Sequence, residues 1–207
     1  PVPVYCTQKI LDRLMKIYSF DAWAPDKPDR PIQFKPIRVG EEILVPERQG
    51  KIFGVTAFYE DPSHRNSTPF TVEFGKEKKK RVVFAWDMAQ LPFDPDKEMP
   101  PDILRSPALL YVEANTFLPR SAKHIRAQDA ARFAKALDPD EAYTVHYSGL
   151  EDDYPGRNDR GKVNEKKKIL PWDELDRELA TLYGKLAAAE PKKIYPANQP
   201  GKRWKWE

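Results

Sequence analysis

The sequence predicts an α/β domain in which strands lie between helices, and three observations support this. A strand pattern followed by an amphipathic helix pattern opens the chain, and a series of strand patterns separated by glycines occupies residues 37–86. Beyond them, two apolar strand patterns flank a further helix pattern. Strands alternating with helices are typical of a sheet covered by helices. The 207 residues suffice for one domain with a full core, or for most of a larger one.

The amino-terminal part is predicted to be a strand over residues 2–6 followed by a helix. Thr7 is a favourable N-cap residue, and the apolar residues between Ile10 and Tyr18 recur at helical spacing. Prolines are then so dense that a regular helix is excluded over 24–36. We therefore expect an extended surface loop there.

The middle of the chain is predicted to be an antiparallel meander. Its strand patterns are short and are interrupted by Gly40, Gly50 and Gly75, which are typical turn residues. The patterns cover residues 37–39, 43–45, 51–59, 70–74 and 81–86.

The rest of the chain again alternates between strands and helices. The run "ALLYVEA" is continuously apolar, which is typical of a strand covered on both faces. A helix over 127–137 and a strand over 142–148 are expected next. Residues 149–170 are polar and charged and are predicted to form an insertion loop, after which Pro171 occupies the favoured first turn of another helix. The chain should end in a strand and a tail.

Composition narrows the class of protein. Hydrophobic residues at 40% and charged residues at 32% are typical of a soluble globular protein, and no apolar run is long enough to cross a bilayer. The single Cys6 excludes an internal disulfide and a zinc site built from cysteines, so we expect a cytoplasmic location. A net charge of +3 is too small to imply nucleic-acid binding by itself.

Several residues with metal-ligating side chains lie in turns or at strand ends. Asp87 ends the strand pattern of "VFAWDMAQLP", and His146 ends that of "AYTVHYS". His64 and His124 lie in loops. Each alone is compatible with an ordinary surface position, but a catalytic metal site needs neutral imidazoles and carboxylates that converge from several rigid elements.

Three stretches, "VVFAWDMAQLP", "LLYVEANTFLPRSAKHIRAQDAARFAKAL" and "AYTVHYSGLED", resemble the carboxyl-terminal half of the metallo-β-lactamase fold. The resemblance is to its phosphodiesterase branch, which includes the tRNA 3′-processing endonucleases and the cyclic phosphodiesterase of phosphonate breakdown. The chain supplies Asp87, Glu113, His124 and His146 in the order of that family, with 37 residues from Asp87 to His124 and 22 from His124 to His146. His64 stands 23 residues before Asp87, where the family places another histidine ligand.

The resemblance implies a role for each of these residues. Asp87 would bridge two divalent metal ions, zinc or manganese, while His64 would bind one ion and His146 the other. His124 would stand outside the metal shell and act as the catalytic residue that protonates the leaving oxygen or neutralises charge on the phosphoryl group. Glu113 would be the acceptor that fixes the tautomer of a ligand histidine.

The family's HxHxDH motif is absent from the chain. The resemblance therefore implies an αββα sandwich of metallo-β-lactamase type in which residues 1–207 form a single, incomplete domain, with the amino-terminal part and its metal ligands missing. We expect that part to have been removed or to lie on another chain, because the sequence begins at Pro1 without a methionine. The alternative is a degenerate relative without activity.

Two classes of function follow. The first is a metal-dependent hydrolase, a phosphodiesterase with a dinuclear site and a bridging hydroxide, acting on a small-molecule or RNA phosphodiester. The second is a catalytically inactive binding or scaffold protein with the same fold. For the second class the tail "GKRWKWE" is relevant, since its Trp204 and Trp206 alternate with cations as in surfaces that bind nucleic acid. A homodimer is compatible with either class.

Overall fold

The computed structural model describes residues 2–17, 32–46, 52–63, 67–75, 80–114 and 124–145, together with the short pieces 156–157, 163–164, 177, 181 and 194–196. The helices are α1 Gln8–Ile17 and α2 Ala127–Leu137. The strands are β1 Val2–Thr7, β2 Ile32–Ile37, β3 Glu42–Pro46, β4 Ile52–Ala57, β5 Phe70–Phe74, β6 Lys80–Ala85, β7 Leu109–Glu113, β8 Glu141–Val145, β9 Gly156–Arg157, β10 Val163–Asn164 and β11 Ile194–Pro196.

Seven of these strands form one mixed sheet, in the order β11-β8-β7-β6-β5-β4-β3. Strands β3 to β6 pair antiparallel, which confirms the predicted meander. Strands β6, β7, β8 and β11 pair parallel. The carboxyl ends of β6, β7 and β8 therefore meet at one edge of the sheet.

Helix α2 covers one face of the parallel part of the sheet. Its apolar residues, spaced as the sequence predicts, pack against β7 and β8. The helix ends because Asp138 adopts a left-handed conformation (φ 52°) and Pro139 follows it. Burying a side chain such as Phe133 contributes about 1.5 to 3 kcal/mol relative to exposure. The buried core on this face is Val83, Ala85, Met88, Phe93, Leu104, Leu110, Val112, Ala114, Ile125, Ala127, Ala130, Ala131, Phe133, Ala134, Leu137 and Ala142.

The opposite face of the sheet carries a row of aromatic side chains. Phe70, Phe84, Tyr111 and Tyr143 occupy paired positions on the neighbouring strands β5 to β8. The ring centroid of Phe84 lies 4.9 Å from that of Phe70 and 5.3 Å from that of Tyr111, and both ring pairs are stacked. Cross-strand contacts of this kind hold neighbouring strands in register.

Strand β2 corrects the prediction for residues 24–36. Its six residues pair in parallel with β1 as a separate two-stranded sheet, so the end of the expected loop is a strand. Proline is compatible with this position because Pro36 lies in the outer strand of a two-stranded ladder, where a missing N–H is tolerated. The strand expected over 37–39 is wrong beyond Ile37, where the chain enters a turn at Val39 and Gly40.

Several expectations fall on residues outside the described part of the chain. Within the predicted insertion 149–170, only the short antiparallel pair β9 and β10 is described. Of the helix expected from Pro171, only Arg177 and Thr181 are described, and both are helical. The tail after Pro196 is not described. No helix in the described residues is both long and apolar enough to cross a bilayer.

Candidate metal centre

The turn after β6 presents Asp87 at the carboxyl edge of the sheet. Its backbone is left-handed, with φ 55°, and its side chain is 50% exposed. Aspartate is among the few non-glycine residues that adopt this conformation at modest cost. The strand and the turn together hold a half-exposed carboxylate beyond the edge of the sheet, as the sequence predicts.

Glu113 is the last residue of β7 and is completely buried. Its Oε2 accepts a hydrogen bond from the backbone N–H of Met88, directly after Asp87. Burial raises the pKa of Glu113 to about 8; the Met88 hydrogen bond opposes this increase, and the nearby charges of Asp87 and Asp61 add to it. A carboxyl group with this pKa retains its proton at neutral pH unless a partner takes it.

His124 is the hydrogen-bond partner of Glu113. A hydrogen bond of 2.5 Å joins its Nδ1 to Oε1 of Glu113, and the same nitrogen lies 3.9 Å from Oδ1 of Asp87. Two acceptor atoms this close must share a proton, so the Glu113–His124 pair holds one. The ring is placed by the segment before α2, where the N–H of Ile125 donates to the carbonyl of Met88 at 2.9 Å.

The structure thus brings together three of the predicted site residues, whose ligand atoms lie within 4.8 Å of one another. Carboxylate oxygen and imidazole nitrogen are donors that suit zinc and manganese. Asp87 offers the exposed carboxylate, while Glu113 and Nδ1 of His124 engage each other. The three side chains therefore form a group that could hold a metal ion, in which Asp87 supplies the exposed carboxylate. His64 and His146 lie outside the described residues, and their roles as ligands stay predictions.

The sequence did not identify one further residue of this region. Asp61 is completely buried, and its Oδ2 accepts hydrogen bonds from the N–H groups of Ala89 (2.6 Å) and Gln90 (3.0 Å), in the turn that carries Asp87. The Asp61-Pro62 dipeptide does predict a local turn. Nothing local predicts that its carboxylate reaches residues 28 and 29 positions further along.

Comparisons with known proteins place this geometry in a fold. No family model matches the chain, and no curated protein matches it. A diphosphatase of the PhnP family has a similar structure, with a TM-score of 0.55 and 17% identity, covering 95% of this chain and 55% of that one. The metallo-β-lactamase fold protein YhfI from Bacillus subtilis is similar with a TM-score of 0.53 and 16% identity, covering 94% of this chain and 61% of that one.

The chain spans between 55% and 61% of the length of these two structures. Identities of 16% and 17% establish the fold but transfer no activity. The mixed sheet and the helix beside it agree with that fold. The chain therefore has the predicted α/β metallo-β-lactamase fold, and the missing amino-terminal part stays a prediction.

Proposed function

We propose that this chain is part of a metal-dependent hydrolase that cleaves phosphodiesters, with Asp87 as a metal ligand. The observation that carries the proposal is the Glu113–His124 pair, whose Nδ1 lies 3.9 Å from Asp87. A buried acid with a perturbed pKa that is hydrogen-bonded to a histidine beside a metal ligand is typical of catalytic sites.

In this proposal Asp87 would hold both of two divalent ions, His64 one of them and His146 the other. The HxHxDH motif, which these 207 residues lack, would supply the remaining ligands. Such ions would supply a nucleophile at neutral pH and polarise the phosphodiester.

The protein's own residues then handle the proton. His124 is held at Nδ1 by Glu113, so its Nε2 is the ring nitrogen that can approach the leaving oxygen and protonate it. Burial of Glu113 favours its neutral form, which lets the pair give up and regain one proton in each turnover. The substrate is a small-molecule or RNA phosphodiester.

The test uses the full-length protein, with its metal content measured by elemental analysis and its hydrolysis of bis(p-nitrophenyl) phosphate followed with Zn²⁺ or Mn²⁺. We expect His124→Ala to lower kcat at least about 100-fold while the metal content changes little, because general acid catalysis contributes about 10² to 10⁴. Added imidazole should restore part of the rate.

The matched control is Asp94→Asn, a change in the surface ion-pair cluster that Asp94 forms with Lys97 and Arg132. It should leave both measurements unchanged. Equal loss of metal and turnover in His124→Ala would overturn the proposed proton transfer. A wild-type protein without metal and without hydrolysis would overturn the hydrolase proposal and favour a binding or scaffold protein.

A further inference from the structure

We propose that Asp61 is a positioning residue for the metal centre, which fixes the turn of Asp87 and ties it to residues 61–63, which directly precede His64 in the sequence. The inference rests on the proposed function, in which Asp87 binds the metal. It adds a residue that lies outside the predicted ligand set and acts through the backbone.

The turn that carries Asp87 is held by hydrogen bonds from its backbone. Three consecutive N–H groups follow Asp87, and each donates to a buried carboxylate. The N–H of Met88 donates to Glu113, and those of Ala89 and Gln90 donate to Oδ2 of Asp61. With its following backbone held from two directions, Asp87 has little freedom to leave its left-handed conformation.

The other carboxylate oxygen of Asp61 holds a second segment of the chain. Oδ1 of Asp61 accepts from the N–H of Ser63 at 2.8 Å, and the backbone N–H of Asp61 donates to the carbonyl of Ser67 at 2.9 Å. His64 lies between these two serines in the sequence. One side chain therefore binds both the segment that precedes His64 in the sequence and the turn of Asp87.

A direct contact strengthens this connection. Nε2 of Gln90 donates to Oγ of Ser63 at 2.6 Å, so the two segments also meet through their side chains. A carboxylate that accepts three backbone N–H groups is held in one orientation, because all three bonds are charge-assisted. Since Asp61 is completely buried, solvent offers no substitute for it.

The alternative is that Asp61 stabilises the fold without influencing the metal site. Asp61→Asn separates the two, because asparagine has nearly the same volume but presents an NH₂ group to one set of the N–H donors. We expect the variant, in the full-length protein, to bind Mn²⁺ about tenfold more weakly, as is typical when partners behind metal ligands are changed. Mn²⁺ alone is the probe, followed by its electron paramagnetic resonance signal.

A double-mutant cycle with Asp87→Asn tests whether Asp61 acts through Asp87. If it does, Asp61→Asn weakens Mn²⁺ binding in the wild type but has no further effect once Asp87 is replaced. The matched control is Asp94→Asn, because Asp94 also accepts a backbone N–H two residues further on, that of Asp96 at 3.1 Å, and lies outside the site. It should not change Mn²⁺ affinity in either background.

Each outcome decides the matter. Unchanged Mn²⁺ affinity in Asp61→Asn, or equal weakening in both backgrounds, overturns the inference and leaves the proposed function standing. A wild-type protein that binds neither Mn²⁺ nor Zn²⁺ overturns both. Should Asp61→Asn fail to fold, Asp61→Glu, which keeps the charge but displaces the carboxylate, takes its place in the same cycle.

Discussion

The two ends of strand β6 use charge in opposite ways. At its beginning, Arg81 pairs with Glu73 on β5 and donates to the carbonyls of Asp102 (2.7 Å) and Arg105 (3.3 Å). Opposite charges thus join β6 to β5, and hydrogen bonds from the same arginine join the sheet to the short 3-10 helix at Asp102–Leu104 and the residue after it. Beyond the other end, the carboxylates of Asp61, Asp87 and Glu113 converge.

The difference indicates that the Arg81 end of β6 serves only the stability of the fold. An ion pair with added hydrogen bonds to carbonyls joins elements without bringing like charges together. The other end does bring like charges together. The charges of Asp87 and Asp61 both raise the pKa of Glu113, in addition to its burial. Perturbed groups of this kind cluster at functional sites. Three predictions test the comparison.

The largest expected effect is that of Asp87→Gly. The proposed ligand is lost, so the metal content of the full-length protein and its hydrolysis should fall to background. The free energy of unfolding of the metal-free protein should stay within about 1 kcal/mol of wild type, because two effects oppose each other. Glycine adopts a φ of 55° without strain, which stabilises the folded state, but it also makes the unfolded chain more flexible, which stabilises the unfolded state. Elemental analysis and urea unfolding in chelator measure the two quantities. A folded variant with full metal content would exclude Asp87 as a ligand.

The second effect is a pH dependence due to Glu113. Its pKa is raised from 4.5 to about 8 on folding, so the folded state binds the proton more tightly than the unfolded state. The resulting stability is complete below about pH 4.5 and is lost as the pH rises to about 8. The loss has a slope of about 1.4 kcal/mol per pH unit for one proton.

Glu113→Gln removes the titrating group and leaves an amide oxygen for the N–H of Met88. Urea unfolding of the metal-free proteins between pH 5.5 and 8.5 should therefore show a steeper decline with pH for the wild type than for the variant. Parallel curves would mean that Glu113 does not carry its proton into the folded state.

The smallest effect belongs to the other end of β6. Arg81→Ala should lower the free energy of unfolding by about 2 kcal/mol, because it removes a half-buried ion pair and two hydrogen bonds from a charged donor. Metal content and kcat should not change. A loss of metal in this variant would mean that the two ends of the strand are coupled, which contradicts the comparison.

Much of the fold could be predicted because its elements carry their own periodicity. Strand β5 and helix α2 have the predicted bounds, since their apolar spacing and their flanking Gly75 and Asp138 are local signals. Strand β2 was not predicted because the dense prolines exclude a regular helix and indicated an extended surface loop, whereas an outer strand tolerates proline.

The site was predictable to the extent that it follows from strand ends. Asp87 lies just after β6 and Glu113 ends the neighbouring parallel strand β7, so their proximity is a property of the sheet. Glu113 and His124 are 11 positions apart, and no local pattern pairs them. The hydrogen bond from Gln90 to Asp61 joins residues 29 positions apart, because two turns pack together. Neither has a signal in the sequence. The assignments of His64 and His146 as ligands remain predictions.

Glu60, the neighbour of Asp61, accepts a hydrogen bond from the hydroxyl of Thr7 at 2.8 Å and pairs with Lys9 at 3.3 Å. Two consecutive residues therefore fasten the start of α1 and the turn of Asp87. A residue inserted between them would shift one attachment by up to about 3.5 Å, the length of one extended residue. Chain length is thus constrained at this junction as strictly as residue type, and relatives that keep both attachments should show no gap there.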